Sequence, residues 1–111
     1  MDTKTFSILF QEAIHAQSRD DFVSDWSLSS IWGDDPDAEI PADRPDQLGS
    51  IWDAAHRSVR EIAAFAGMSQ RKLAERFCIP TRTIEDWCRG LRTPPDHVRL
   101  MMQECLGLVE R

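Results

Sequence analysis

The chain has 111 residues and 12.7 kDa, the size of one ordinary domain. Its 41% hydrophobic and 29% charged composition is that of a globular protein, and it holds no apolar run of the roughly 20 residues that cross a bilayer. The net charge of −6 is unevenly shared: residues 1–56 carry three Lys and Arg against twelve Asp and Glu, a balance of −9, whereas residues 57–111 carry ten against seven, a balance of +3. Such asymmetry hints at nucleic-acid contact by the second part alone.

The N-terminus, Met1 to Phe10, has one Lys and no small-residue cleavage site, so it does not read as a signal peptide. Phe6, Leu9, Phe10, Ala13 and Ile14 follow helical spacing and predict a first helix. Ser18-x-x-Asp21 resembles a capping box opening a second, with Phe22, Val23 and Trp26 on its buried face. Residues 33–46, with three prolines, five Asp and one Glu, read as a linker. Helical spacing resumes at Leu48, Ile51, Trp52 and Ala55. A break is expected near His56-Arg57, with a fresh helix capped by Ser58-x-x-Glu61 and stopped by Gly67; one continuous helix over 47–66 is the rival.

Ser69 is a natural cap for the next helix, whose inner face is Leu73, Ala74 and Phe77. Cys78-Ile79-Pro80 is a short turn. Thr81 to Arg89 forms another helix, with Ile84, Trp87, Cys88 and then Leu91 inward and Arg82, Glu85, Asp86 and Arg89 on the opposite side. Thr93 and Pro94 suit the start of a last helix, with Val98, Met101, Met102, Cys105 and Leu106 as its core stripe. The expectation is an all-α fold of five or six helices with one core joining both halves.

Two short helices joined by a three- or four-residue turn make a helix-turn-helix unit. The segment LAERFCIPTRTIEDWCRGLRTPP resembles the lambda-repressor-like, Cro-type (XRE) transcriptional regulators. The matching positions are Gln70, Leu73-Ala74, Ile79, Thr83-Ile84, Trp87, Gly90 and Pro94, and the likeness covers roughly residues 58–106. It departs at Cys78, where the family usually has Gly, and at Cys88, where Glu is common and can pair with an Arg on the first helix; that partner position corresponds to Ala63 here. On this reading residues 1–46, with their linker at 33–46, are an acidic helical extension and residues 47–111 the DNA-binding domain.

The resemblance implies a sequence-specific, cytoplasmic regulator that lays helix 81–89 in the major groove of double-stranded DNA, as a homodimer. It assigns Thr81, Arg82 and Asp86 to base reading and Gln70, Arg71, Arg89 and Arg92 to phosphate. The acidic half is expected to face away from DNA, to weaken nonspecific binding and to mediate self-association. The alternative is a helix-turn-helix module for protein interaction, of an antitoxin-like or adaptor kind. No nucleophile, phosphate loop or metal spacing stands out, so neither an enzyme nor a cofactor is expected. His15, His56 and His97 lie far apart, and Cys78 and Cys88 read as small buried hydrophobes.

Overall fold

The computed structural model describes residues 1–37 and 39–109. Among these the chain is all-helical: seven α-helices and one short 3-10 turn, with no strand. It divides into two compact units, the first Met1–His56 and the second from Arg57 onward. The boundary coincides with the change from acidic to basic charge. Each unit has its own set of buried apolar side chains.

The first unit comprises α1 (Thr3–His15), α2 (Arg19–Ser27), the 3-10 turn Ser30–Trp32 and α3 (Arg44–His56). Asp2 starts α1 by accepting the Thr5 N–H at 2.7 Å, and Ser18 starts α2 by accepting that of Asp21 at 3.1 Å. Phe6, Leu9, Phe10 and Ala13 of α1 and Phe22 of α2 are buried together with Leu48, Ile51, Ala54 and Ala55 of α3, which packs on both. Helix α3 therefore lies in the first unit, whereas the sequence reading places residues 47–56 with the helices that follow. Its apolar stripe is covered by α1 and α2. His56 at its end donates from Nε2 to the Ala13 carbonyl at 2.7 Å.

The linker is shorter and better held than its composition suggests. Helix α3 begins at Arg44, so residues 44–46 are helical, with Pro45 in the first turn. Arg44 is only 5% exposed. It donates to both carboxylate oxygens of Asp34, one at 2.9 Å, and to the Ser27 carbonyl at 3.2 Å, and it lies 4.3 Å over the Trp32 ring. One arginine thus fastens the start of the acidic loop to the helices on either side of it.

The second unit comprises α4 (Val59–Ala66), α5 (Gln70–Phe77), α6 (Thr81–Arg89) and α7 (Asp96–Cys105). Ser58 and Glu61 form the full capping box, so the chain breaks between α3 and α4 and the continuous-helix alternative falls. Val59, Ile62, Ala63, Leu73, Ala74, Ile84 and Met102 form the core, with Phe77, Ile79, Trp87, Cys88, Val98 and Leu106 packed against it. Fully buried Gln103 accepts from Arg57 Nη1 at 2.9 Å, while Arg99 Nη1 donates to the Arg57 carbonyl at 3.0 Å, joining the start of this unit to α7.

Three expectations fail here for local reasons. Leu91, in the turn after α6, is 69% exposed; on α7, Met101 is 59% exposed and Cys105 is exposed, because that helix buries Met102 and Gln103 and packs Val98 against the core. Helix α7 begins at Asp96 after Pro95, without a side-chain cap, because a residue preceding a proline, here Pro94, is pushed out of the helical region. Cys78 is exposed, not buried.

Candidate nucleic-acid interface

Helices α5 and α6 are joined by the short turn at residues 78–80 and pack against each other. Ser69 Oγ accepts the Lys72 N–H at 3.1 Å and starts α5. Leu73 and Ala74 face the core, leaving Arg71, Lys72, Glu75 and Arg76 in solvent. The helix ends in a Schellman turn: the Ile79 N–H bonds the Ala74 carbonyl at 3.0 Å, and the Cys78 N–H reaches that of Glu75 at 3.4 Å. Cys78 occupies the left-handed position, φ 54°, and is the only non-glycine with positive φ among the described residues. The same turn follows α4 at Gly67, α6 at Gly90 and α7 at Gly107. Ile79 then packs against the core and fixes the entry to α6.

Ile84 is buried and Trp87 and Cys88 half-buried, so α6 presents Arg82, Glu85 and Arg89 on its other face. Thr81, its first residue, is exposed, and Pro80 before it supplies no side-chain cap. Arg82 and Arg89 are 84% and 62% exposed. Arg89 Nη2 stands 3.7 Å from Glu85 Oε2.

Asp86 is placed differently from a base-facing residue: it is 8% exposed. Its Oδ1 lies 3.6 Å from Arg82 Nε, and its Oδ2 lies 3.8 Å from Arg92 Nε. Both separations exceed hydrogen-bond length, and Oδ1 has no hydrogen-bond partner. Arg92 is brought back to α6 by the turn at Gly90, where the Leu91 and Arg92 N–H groups bond the Asp86 carbonyl at 2.9 and 3.4 Å. The helical wheel hides this link, but the Gly90 stop, four residues after Asp86 and two before Arg92, is the signal that could have found it.

Thr81, Arg82, Asp86, Arg89 and Arg92 therefore gather on α6 and the turn that follows it. Gln70, half-buried, and exposed Arg71 stand on the first turn of α5, the helix that packs beside α6. Arg71 Nε is 3.4 Å from Glu75 Oε1. Cys88 is packed on the core, and burial pushes its thiol pKa up. Cys88 and core residue Ala63 are both uncharged, so neither position holds a stranded buried charge.

Elsewhere, the first unit has an open cleft of about 340 Å³ lined by Leu28, Ser29, Ser30, Asp34, Asp35, Pro36 and Ile40. Asp34 is already bound to Arg44, which holds its carboxyl below the usual aspartate range. Among the described residues no three His, Cys, Asp or Glu side chains converge to hold a metal ion, and no helix is long and apolar enough to cross a membrane. Comparison with protein-family models, with characterised proteins and with solved structures finds no match to this chain.

Proposed function

We propose that the chain is a sequence-specific DNA-binding regulator of the Cro-like kind, acting in the cytoplasm without catalysis or a cofactor. Helix α6 enters the major groove, and two copies related by two-fold symmetry read half-sites roughly 34 Å apart. The observation that carries this reading is the exposed face of α6: Arg82 and Arg89, with Arg92 returning beside them, on a helix whose opposite side is anchored by Ile84 and Trp87. Arg82, near the helix start, meets a base edge, and an arginine there suits guanine. Thr81 stands beside it. Gln70, Arg71, Arg89 and Arg92 contact phosphate, supplying affinity and register. The acidic first unit, with its balance of −9, repels the DNA backbone and lowers nonspecific affinity.

A second reading has its own support. Each arginine of the face has a carboxylate within 4 Å: Arg71 with Glu75, Arg82 and Arg92 with Asp86, and Arg89 with Glu85. Such a face has little net charge and suits a protein partner. Selection of bound duplexes from a random pool separates the two: enrichment of a palindromic site supports the regulator, and failure to enrich any sequence favours the protein-interaction module.

A further inference from the structure

We propose that Asp86 sets base choice through Arg82: it positions the guanidinium and does not itself read a base. The proposal rests on α6 being the recognition helix. Asp86 stands one turn after Arg82 and is more than nine-tenths buried. A carboxylate so covered, with arginines on both sides, does not reach a cytosine amino group. Its backbone carbonyl already has a structural task, holding the Leu91 N–H at 2.9 Å, and an asparagine would keep that bond. What the side chain adds is charge in one place.

The edge that faces the carboxylate is informative. Arg82 and Arg92 both approach through Nε, at 3.6 and 3.8 Å. A guanidinium has five N–H donors, and the four on its Nη atoms remain available when the Nε edge is turned inward. That end-on fork matches the N7 and O6 acceptors of guanine. Oδ1 lacks a hydrogen-bond partner, which is unfavourable for a buried acceptor. Closing the gap to Arg82 Nε satisfies it at the geometry in which the fork meets a base. A phosphate, approached from many directions, gains less from such fixing than a guanine edge does. Asp86 also offsets the positive charge of two arginines and so restrains nonspecific attraction to the backbone.

The test is a cycle of Asp86→Asn, Arg82→Ala and the double variant in the full chain, each titrated with the selected duplex and with a random duplex at several salt concentrations. Asp86→Asn is expected to tighten random-duplex binding and steepen its salt slope. Preference for the selected site should fall about ten- to a hundredfold, with base choice at one position flattened. In the Arg82→Ala background the same change should cost no further preference, since Asp86 acts through Arg82. Unchanged preference in Asp86→Asn, additive losses in the double variant, or a switch to a different preferred base would each overturn the proposal. Should thermal melts show Asp86→Asn unfolded, Asp86→Glu takes its place; it keeps the charge and displaces the carboxylate, and an undiminished preference there is equally fatal. A wild-type chain that enriches no site defeats the DNA reading itself, a result separable from these.

Discussion

Replacing Cys78 by glycine should stabilise the protein. The residue sits at φ 54°, in the left-handed region, and is exposed, so its side chain contributes little packing. Holding a residue with a β-carbon there costs about 1–2 kcal/mol. Glycine removes that strain but has more freedom to lose on folding, which takes back about 0.5–1 kcal/mol. The expected net gain is about 0.5–1 kcal/mol, or about 2–8 °C in Tm for a small cooperative domain. The assay is a circular-dichroism melt in reducing buffer, with Cys78→Ala as control. Alanine keeps the β-carbon and the strain, so it should stay within about 0.5 kcal/mol of wild type. If alanine stabilises as much as glycine, removal of the thiol is responsible and the backbone argument fails. Destabilisation by glycine would mean that the side chain makes contacts that its exposure denies.

Arg82→Ala should cost about 1–3 kcal/mol on the selected site and flatten preference at one base, whereas Arg92→Ala should weaken all duplexes alike and reduce the salt slope by about one; gel shifts across salt concentrations separate the two. Arg44→Met should change the acid response of the first unit. Hydrogen bonding to Arg44, with its charge, holds the Asp34 carboxyl below the ordinary 3.8, so this stabilisation is present above that value and is lost as pH falls through the lower folded one. Urea midpoints should accordingly fall less steeply on acidification in Arg44→Met than in wild type. Among the cysteines, exposed Cys78 and Cys105 should be alkylated before Cys88, whose half-buried thiol has a raised pKa; mass spectrometry of a timed iodoacetamide reaction reads the order.

Local chemistry made much of the second unit legible. Ser58 and Glu61, Ser69, Gly67 and Gly90 act on groups within a few residues of themselves, and each performs the capping role its identity suggests. The inward faces of α4, α5 and most of α6 follow from helical spacing. What spacing leaves open is which neighbour covers a stripe. Leu48, Ile51 and Ala55 look equally suited to either unit, and only packing against α1 and α2 assigns α3 to the first. The same holds for Arg44, whose partners Asp34, Ser27 and Trp32 come together through a loop rich in proline and acid. Within the candidate site, Arg82 and Arg89 were evident from the wheel of α6. The burial of Asp86 was not, because Arg92 arrives from outside the helix, carried back by the turn at Gly90.

The most direct measurement of the central claim is a 15N–1H NMR titration of the full chain, first with the selected duplex and then with a random one. If α6 docks on DNA, amide shifts should concentrate in Thr81–Arg89, in Leu91 and Arg92, and at the first turn of α5 around Gln70 and Arg71. The signals of α1 and α2 should stay in place, since that acidic unit avoids phosphate. Shifts centred on Met1–His56, or a helix α6 unmoved at saturating duplex, would contradict the account.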